Sequence, residues 1–455
     1  MPKLINREIP YQSNSESLFA LVRDLPDAIW LDSGKPRSTQ GRFDIISACP
    51  DTIIETRGER SIITSQDGER ISNEDPFVLA EQLLQPMLTD GDSEYPFVGG
   101  LIGYFAYDLG RHLIDIPETA GAVTDLPDMR IGRFLWALVV DHQLLRTELV
   151  LHPTCPDSLI ELINTRINTA QATASGDFKL RDTFSATLSE TQYQSAIRDI
   201  KGYIGSGDCY QTNFTQHFSA QFSGDLWPAY IALRQALGSP YSVFWQWRDQ
   251  GLLCLSPERF IKLTDNQAET KPIKGTIKRG ETPEDDQQAA QALVASAKDR
   301  AENLMIVDLL RNDLGRNCQP GSIRVPKLFE LESFPNVHHL VSTVTGVLAD
   351  SSTPLDLLRD SFPGGSITGA PKKRAMEIIE QLEPVRRSVY CGSIGYISAN
   401  QNMDTNIAIR TLIADGETLH CWGGGGIVAD SEESQEYQES IDKIRALLAA
   451  LEGFL

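Results

Sequence analysis

The segment ETKPIKGTIKRG, residues 269–280, sets a lysine inside a tight, glycine-bearing stretch between residues that favour a strand. Lys274 is followed directly by Gly275, where the backbone can turn sharply. An amine in this place is suited to approach a small substrate, although most lysines are solvated surface charges. The segment alone leaves both interpretations open, so the decision rests on the motifs elsewhere in the chain.

The size and composition predict an ordinary globular protein. At roughly 150 residues per domain, the 455-residue chain has room for about three domains. Its 41% hydrophobic and 23% charged residues are typical of globular chains, and no apolar run approaches the ~18 residues of a membrane span. The first residues lack the apolar core of a secretory signal. We therefore expect a cytoplasmic protein with no membrane partner.

The charged and sulfur-containing residues exclude several classes of protein. A net charge of −21 argues against nucleic acid as a partner, because phosphate binding needs a basic face. An anionic substrate would need local help from Arg, Lys, backbone N–H groups or a bound cation. The cysteines contain no CxxC pair, which favours reduced thiols over a disulfide framework or a zinc site. They stand at positions 49, 155, 209, 254, 318, 391 and 421.

The pattern of strands and helices favours an α+β fold. Short strands punctuated by Gly, Asp or Pro are predicted between residues 27 and 66, and residues 134–152 predict a buried hairpin. There is no regular alternation of strand and helix, which argues against a doubly wound sheet. The small polar residues 169–177 predict a seam between two parts. Helices are predicted at 159–167, 190–205, 226–237, 285–314, 354–361, 371–382 and 431–451.

The last predicted helix carries a charged row beside its apolar stripe. Asp430 or Ser431 is the predicted N-cap. At 100° per residue, Glu436, Glu439 and Lys443 fall within about 60° of one another. Such a row is either a solvated acidic face or one border of a site.

A second acidic helix is predicted in AKDRAENLMIVDLLRNDLG, residues 297–315. Apolar residues cover most of its circumference, which predicts deep packing. Buried carboxylates need partners. Neighbouring arginines are one possibility, and a divalent cation held between Glu302 and Glu439 is the other. Oxygen ligands with few histidines nearby indicate Mg²⁺ rather than zinc.

Three segments are candidates for binding an anion. Arg410, in the strand-like run NIAIRTLIA, is either paired in the core or offers two N–H donors to a carboxylate. The glycine run 422–431 is either a strand bulge or a source of free N–H groups. FPGGSITGAPKKRAM, residues 362–376, enters a helix but is not a Walker A loop, because Ala370 and Pro371 replace its Lys-Ser/Thr pair.

Two further motifs contain residues with acid–base chemistry. SPERF, residues 256–260, places Glu258 directly after an apolar strand. By itself Glu258 is most simply a carboxylate at a strand end. VHHLVST, residues 337–343, contains His338 and His339, which point to opposite faces of a strand. At most one of them is expected to face a site, and a core or surface histidine is the default for either.

These motifs, in this order, resemble those of the chorismate-utilising enzymes. The resemblance covers essentially the whole chain and is densest from residue 190 to 455. It implies one large unit of two facing antiparallel β-sheets flanked by outer helices, formed by an N-terminal part, 1–170, and a catalytic part, 185–455. The remaining motifs that carry it are GDCYQTNFTQ (207–216), CGSIGY (391–396), NIAIRT (406–411), GGGGIVADS (423–431) and ESIDKIRA (439–446).

The resemblance implies Mg²⁺-dependent chemistry on chorismate. A lysine in PIKGT is typical of the members that replace the C4 hydroxyl with an amino group and keep the enolpyruvyl group. The nearest alternative is the large subunit of anthranilate synthase, which also eliminates pyruvate and usually has alanine there. Hydroxylation of the isochorismate type normally uses a base elsewhere. A catalytically inactive sensor would not need the complete catalytic set.

The resemblance also implies a role for each motif residue. Lys274 is the nucleophile that attacks C2 of the ring, and Glu258 is the general acid and base. Glu302 and Glu439 hold Mg²⁺, with Glu436 as a third residue. Tyr396 and Arg410 hold the enolpyruvyl carboxylate. The other positions implied to bind substrate are Thr276, His339, Thr368, Gly424, Gly425, Gly426 and Lys443.

Two partners besides chorismate follow from the resemblance. No cysteine stands in a Gly-x-Cys-x-Gly nucleophile elbow, so ammonia is expected from a separate glutamine amidotransferase subunit. SPYSVF, residues 239–244, together with Ser33 resembles the regulatory amino-acid pocket of anthranilate synthase. Ser33, Pro240 and Tyr241 are therefore predicted to bind tryptophan, with core packing as the alternative.

Overall fold

Two large antiparallel sheets with flanking helices form the framework of the protein. The computed structural model describes residues 4–35, 40–89, 94–333 and 337–455. The predicted α+β class and the arrangement of two antiparallel sheets are confirmed. Among the described residues, no helix is long and apolar enough to cross a membrane.

The strands follow one another along the chain in two groups. The first group is β1 Ile5–Ile9, β2 Ile29–Asp32, β3 Phe43–Ser47, β4 Thr52–Arg57, β5 Arg60–Ser65, β6 Gly68–Ser72, β7 Gly100–Phe105, β8 Met129–Phe134, β9 Trp136–Asp141, β10 Arg146–Leu151, β11 Phe178–Leu180 and β12 Ser185–Ala186. The second group is β13 Gln211–Gly224, β14 Tyr241–Trp247, β15 Gln250–Ser256, β16 Arg259–Thr264, β17 Gln267–Thr270, β18 Ile273–Lys278, β19 Arg324–Ser333, β20 Val337–Val347, β21 Gly369–Ala370, β22 Ser393–Ser398, β23 Met403–Asn406, β24 Thr411–Asp415 and β25 Thr418–Ile427.

The helices lie between these strands. They are α1 Glu16–Phe19, α2 Pro76–Leu84, α3 Asp157–Thr169, α4 Glu190–Gly205, α5 Leu226–Leu237, α6 Pro283–Ala295, α7 Ala297–Gly315, α8 Pro354–Ser361, α9 Lys372–Leu382 and α10 Glu433–Glu452. Short 3₁₀ turns occur at Gln85–Met87, Tyr107–His112 and Gly365–Ile367.

Strands from both halves of the chain build each sheet. In the first sheet the order is β1-β10-β9-β3-β2-β14-β15-β24-β25-β13-β11, with β12 and β21 also paired to β13. In the second it is β18-β20-β17-β16-β23-β22-β7-β8-β4-β5-β6, with β19 also paired to β20. The halves join where β2 pairs with β14 and where β7 pairs with β22. Backbone hydrogen bonds therefore run continuously from one half to the other.

An aromatic cluster packs one sheet against the other. The ring of Tyr104 on β7 lies 6.1 Å from that of Trp245 and 6.0 Å from that of Trp247, both on β14. The guanidinium of Arg130 lies 4.9 Å and 4.7 Å from the same two indole rings. Burying large side chains of this kind stabilises the fold by about 1.5–3 kcal/mol each. The cluster holds the sheets together at the junction of the two halves.

Most predicted helices and the hairpin at 134–152 are confirmed. The bounds of α4 agree with the predicted range 190–205. Ser189 and Gln192 form a capping box at its start, which is the local signal that fixes its first turn. The single helix predicted at 285–314 is wrong, because Ser296 ends α6 and its hydroxyl caps α7 through the Asp299 N–H.

Two other local predictions need correction. The N-cap of α10 is Glu432, not Asp430 or Ser431. The Ser431 hydroxyl donates instead to Glu436 Oε1 at 2.6 Å. Arg410 does not lie in a strand, because β23 ends before it and β24 begins after it. Its φ of 51° is in the left-handed region that non-glycine residues rarely adopt.

Candidate active site

Glu258 lies between β15 and β16 with its backbone fixed on both sides. Its N–H donates to Ser256 Oγ at 3.2 Å, and its carbonyl accepts from the Ile407 N–H at 3.0 Å. Burial raises the pKa of its carboxyl group, while the Ser366 hydrogen bond and the charge of Lys274 lower it by less. A buried carboxyl group with a raised pKa is suited to hold and release a proton.

Lys274 is half-buried in β18. Gly275 has a φ of 83°, and a Cβ there would lie 2.9 Å from Leu293 Cδ1, so glycine is required next to the lysine. Burial lowers the pKa of the Lys274 amine, and the charge of Lys443 lowers it further. The carboxylates nearby oppose this shift. A lowered pKa favours the neutral amine, which is the nucleophilic form.

Three glutamates from α7 and α10 stand around the same place. A Cβ on Gly425 would lie 3.2 Å from Glu439 Oε1 and 3.4 Å from Glu436 Oε2, so both carboxyl groups reach this glycine. Burial raises the pKa of Glu302 and of Glu436. Burial acts the same way on Glu439, but the neighbouring Lys443 outweighs it and lowers the pKa of that group. The site therefore concentrates carboxylates whose ionised form burial penalises.

The donor set of these glutamates fits a hard divalent cation. Their oxygen atoms are the ligands that Mg²⁺ prefers. The carboxylates are held by protein groups at present: Lys443 Nζ lies 2.7 Å from Glu439 Oε1, and Ser431 binds Glu436. Within the described ranges, no three potential ligand residues stand close enough together to form a ready-made metal cage. A cation would replace the lysine contact and relieve the burial penalty on Glu302.

Arg410 is a half-buried cation with no counterion among the described residues. Burial lowers the pKa of its guanidinium, with no carboxylate acting against the shift. In the part of the chain that the structure describes, it forms no ion pair. Its charge also helps burial to lower the pKa of His339 to about 4. A half-buried guanidinium without a counterion among the described residues, near a neutral histidine, is suited to bind a carboxylate.

The adjacent histidines point to opposite faces of β20, as predicted. His339 Nδ1 lies 2.8 Å from the Thr276 hydroxyl, which places both near Lys274. His338 Nδ1 instead lies 2.8 Å from the Ser333 hydroxyl, and its Nε2 lies 3.0 Å from Asp286 Oδ1. His339 and Thr276 therefore belong with the candidate site, and His338 serves the local structure.

The glycine run lies inside β25, which ends at Ile427. Gly424, Gly425 and Gly426 pair with β13 on one side. On the other side β24 pairs with β25 only as far as Ile413 and His420, so no described strand covers that edge of the glycines. N–H groups that point to this edge are available for an anion.

Gln211 lies at the candidate site, beside Gly426, although the sequence motifs did not indicate it. Its side chain is fully buried, and neither amide atom has a hydrogen-bond partner among the described residues. The Oδ1 atom of Asn213, two residues along β13, has none either. Each such group costs about 1–3 kcal/mol unless a ligand or water satisfies it. The alternation of polar residues in QTNFTQ was the signal that could have found them.

Thr368 forms hydrogen bonds that shape the loop between α8 and α9, and Ser366 on the same loop contacts Glu258. The Thr368 hydroxyl donates to the Gly364 carbonyl at 3.0 Å, and the Thr368 carbonyl accepts from the Asn213 N–H at 2.7 Å. The Ser366 hydroxyl donates to Glu258 Oε1 at 2.9 Å. The polar group that this loop offers to the Glu258 carboxyl group therefore comes from Ser366, which the sequence motifs did not indicate.

A second cavity of about 200 Å³ collects the three residues of the predicted amino-acid pocket. Ser33, Pro240 and Tyr241 all line it. Tyr396 lines the same cavity, where Asp404 and Arg259 influence its hydroxyl. This corrects the predicted place of Tyr396 beside Arg410.

Two glycine substitutions should separate folding from function in β25. In Gly424→Ala the new Cβ would clash with the Phe214 carbonyl oxygen and lie 2.6 Å from Thr215 Cα, so we expect a loss of stability of about 1–3 kcal/mol. In Gly426→Ala the Cβ would lie 2.5 Å from Gln211 Nε2, a flexible group that can move.

We therefore expect Gly426→Ala to keep its melting temperature within a few degrees and to lose about tenfold in kcat/KM. Thermal melting and steady-state assays of both variants check this. Full activity in Gly426→Ala would contradict the assignment of Gln211 to the site.

Comparisons with known proteins agree with this geometry. The chorismate binding enzyme family matches residues 26–449. The chain is 45% identical over 98% of both sequences to aminodeoxychorismate synthase component 1 of Salmonella typhimurium, and 47% identical over 98% of both to that of Klebsiella aerogenes. The crystal structure of anthranilate synthase component I from Streptococcus pneumoniae superposes with a TM-score of 0.81 at 30% identity, covering 90% of this chain and 93% of that one.

The fold and the family match together define an enzyme that acts on chorismate. The chain belongs to the chorismate binding enzyme family.

Proposed function

We propose that the protein is an aminodeoxychorismate synthase component 1. It would replace the C4 hydroxyl of chorismate with an amino group from ammonia and keep the enolpyruvyl group, as a step toward p-aminobenzoate and folate. Lys274 carries the proposal: it is half-buried, its pKa is lowered, and Glu258 with its raised pKa stands nearby. Three relatives that share this name are 44–47% identical to the chain, and two more are 35% and 37% identical, whereas two anthranilate synthase relatives are 34–35% identical.

In the first half of the reaction the neutral amine of Lys274 forms a bond to C2 of the ring. The ring double bond shifts and the C4–O bond breaks. Glu258, protonated because burial raises its pKa, gives its proton to the departing hydroxyl, which leaves as water. The lysine nitrogen keeps both of its protons and becomes a secondary ammonium group, which stays charged until the C2–N bond breaks.

In the second half of the reaction ammonia adds at C4, and the double-bond shift of the first half is reversed. The double bond shifts back, the C2–N bond breaks, and Lys274 leaves as the free amine. The Glu258 carboxylate takes the proton that the incoming ammonia gives up, so the enzyme returns to its first state. The buried amide of Gln211 offers a donor and an acceptor that ammonia can use.

The two carboxylates of chorismate have separate partners. We assign the enolpyruvyl carboxylate to Arg410, whose half-buried guanidinium has no counterion within the described ranges. We assign the ring carboxylate to the uncovered edge of Gly424–Gly426, with Lys443 beside it. His339 and Thr276 complete the wall on the Lys274 side. These contacts orient the ring so that C2 faces the lysine.

Mg²⁺ is the proposed metal ion, held by Glu302, Glu436 and Glu439. When bound, it would neutralise the ring carboxylate and polarise the substrate. The chemistry of the donor set supports it, since burial raises the pKa of two of the three carboxyl groups and no arginine pairs with any of them among the described residues. The metal also explains how so acidic a site accepts a dianion.

Magnesium should stabilise the free protein through Glu302. At a concentration 100 times its Kd, Mg²⁺ adds about 2.7 kcal/mol, so we expect the melting temperature to rise by a few degrees. Glu302→Gln should abolish this rise. Without Mg²⁺ the variant should melt at the same or a higher temperature, because the raised pKa shows that the ionised carboxylate is penalised in the folded state.

The control for this measurement is Asp308→Asn on the same helix. Asp308 is exposed and paired with Arg311 at 2.8 Å, so its loss should leave the magnesium effect intact. An unchanged magnesium effect in Glu302→Gln would contradict the assignment of the metal site.

A second component is proposed as the source of ammonia. The relatives named above are called component 1, which supports a two-component enzyme. We propose that the other component is a glutamine amidotransferase, because free ammonia is scarce at neutral pH. With that component, glutamine should replace ammonium salts as the nitrogen donor.

The second cavity is proposed to hold an amino acid, with tryptophan as the first candidate. Ser33 and the two residues Pro240 and Tyr241 line it as the sequence predicted. Mass spectrometry of the purified, denatured protein checks this. Absence of released tryptophan, together with no effect of added tryptophan on melting, would leave the pocket as core packing.

Product identification tests the function directly. The purified chain is incubated with chorismate, Mg²⁺ and an ammonium salt, and the products are analysed by mass spectrometry. We expect 4-amino-4-deoxychorismate without pyruvate. Anthranilate with pyruvate would place the chain with anthranilate synthase instead, and bound chorismate without turnover would indicate a sensor.

A further inference from the structure

The loop between α8 and α9 brings one hydroxyl group to the buried acid. Ser366 is 8% exposed, and its Oγ donates to Glu258 Oε1 at 2.9 Å across 108 positions of sequence. Among the described residues, Ser366 is the one hydrogen-bond donor to this carboxyl group. The contact thus joins the loop between α8 and α9 to the turn before β16.

A buried ion pair fixes the loop that carries Ser366. Arg387 Nη1 donates to the Ile367 carbonyl at 2.8 Å, and its Nη2 donates to the Asn213 carbonyl at 2.8 Å. Glu383 holds the same guanidinium at 2.6 Å. Ile367 is the neighbour of Ser366, so the serine is tied to β13 through one residue.

Helix α7 supports the loop from its other side. A Cβ at Gly365 would lie 2.7 Å from Leu309 Cγ, so the loop backbone touches α7 directly. With β13 on one side and α7 on the other, the position of Ser366 is set by packing. A hydroxyl held in this way can determine where the Glu258 carboxyl group points.

Serine suits a carboxyl group that changes protonation state. A hydroxyl donates to the ionised carboxylate and, after rotating, accepts from the protonated acid. Glu258 needs both forms in the proposed reaction. The charged or titratable groups that influence it are Lys274 on β18, Lys443 on α10 and Cys391 before β22. None of these makes a hydrogen bond to it among the described residues.

We propose that Ser366 is a positioning residue for the general acid and base: its hydroxyl holds the Glu258 carboxyl group in one orientation in both protonation states. The role in turnover rests on the proposed function, whereas the contact with Glu258 does not. Thr368, two residues further along, cannot take this part because its hydroxyl is bound to the Gly364 carbonyl.

The test compares Ser366→Ala with Ser366→Thr, which keeps the hydroxyl. For Ser366→Ala we expect about a tenfold loss of kcat, with KM for chorismate unchanged within about twofold. Because a hydrogen bond donated to the ionised form is lost, the pKa of Glu258 rises. An acid works below its pKa, so the high-pH limb of the kcat profile should move to higher pH. Ser366→Thr should restore most of both.

A matched control removes a buried hydroxyl elsewhere. The Ser47 hydroxyl on β3 is fully buried and donates to the Trp136 carbonyl at 2.6 Å. Ser47→Ala should therefore lose stability without moving the pH profile. If Ser366→Ala behaves as Ser47→Ala does, or if Ser366→Ala and Ser366→Thr lose equal activity with the limb unmoved, the serine is merely structural and the proposal is overturned.

A spectroscopic measurement keeps this proposal separate from the proposed function. Difference infrared spectra between the wild type and Glu258→Gln isolate the carboxyl band of Glu258 and its titration without substrate. In Ser366→Ala the band of the protonated acid should shift to higher frequency and titrate at higher pH. An unmoved band would overturn the proposal even if amination is confirmed, and a moved band would support the contact even if the product is different.

Discussion

Lys274→Ala should lower kcat for the amination of chorismate by at least about a thousandfold, with chorismate binding preserved. The physical reason is that no other group replaces the proposed covalent nucleophile, whereas the carboxylate contacts proposed at Arg410 and the glycine strand do not involve the lysine. The lysine also carries a pKa lowered by burial, so its removal takes away a penalised charge and should not lower the melting temperature. Steady-state kinetics and calorimetric binding of chorismate with Mg²⁺ check these expectations.

The pH profile of the wild type provides a second test of the role of Lys274. Lys274 reacts only after it loses its proton, so activity should rise as pH rises through its lowered pKa. Lys274→Arg keeps a charge that cannot be lost and should be as inactive as the alanine variant.

The matched control is Lys278→Ala, an exposed lysine on the same strand. We expect its activity to stay within about twofold of the wild type. Full amination by Lys274→Ala at the same ammonia concentration would show that the covalent route is wrong, even if the product assignment holds.

Arg410→Met should weaken chorismate binding about 100-fold and leave the free protein as stable as before, or more stable. Losing one member of a buried charge pair costs about 2–5 kcal/mol of binding, which corresponds to this change in Kd. In the free protein the same guanidinium is half-buried without a counterion in the described chain, so its replacement by an apolar side chain removes a charge that burial penalises. Binding and stability should therefore move in opposite directions.

Arg130→Met supplies the contrast. Arg130 is more deeply buried than Arg410, and it is paired with Asp27 at 2.8 Å and Glu55 at 3.0 Å. Its loss leaves two carboxylates unpaired and should cost about 3–5 kcal/mol of stability, while the folded fraction binds chorismate normally. If Arg410→Met melted as early as Arg130→Met, Arg410 would be a structural residue.

Local sequence signals were sufficient for most elements of the fold. The capping box at Ser189 and the alternation of apolar residues in 134–152 act over a few residues, and α4, β9 and β10 follow them closely. The break at Ser296 was missed because apolar periodicity continues across it, whereas the cap depends on a single hydroxyl. Arg410 was read as a strand residue because strand propensity takes no account of a left-handed turn.

The motif residues of the candidate site were predicted before the structure because the motifs resemble those of a known family, whereas the residue types alone left a structural alternative open for each. Lys274, Glu258 and the three glutamates were predicted in this way. The structure places them close together, because Lys274 interacts electrostatically with Glu258, Glu302 and Glu439. The carboxyl groups of Glu436 and Glu439 both reach Gly425. Gln211 and Ser366 were not chosen. Gln211 is notable because its buried amide atoms have no hydrogen-bond partner among the described residues, and Ser366 because it contacts Glu258. Neither property can be predicted from the residue type.

By itself, then, the sequence determined the α+β class, the order of most strands and helices and the catalytic residue types. Tertiary structure decided which side chains meet. A strand presents alternate residues to opposite faces, so the register of β22 sends Tyr396 to the second cavity. In the same way, the packing of one loop between β13 and α7 delivers Ser366, and not Thr368, to Glu258. Contacts between residues more than 100 positions apart depend on this register and packing, which no local pattern encodes.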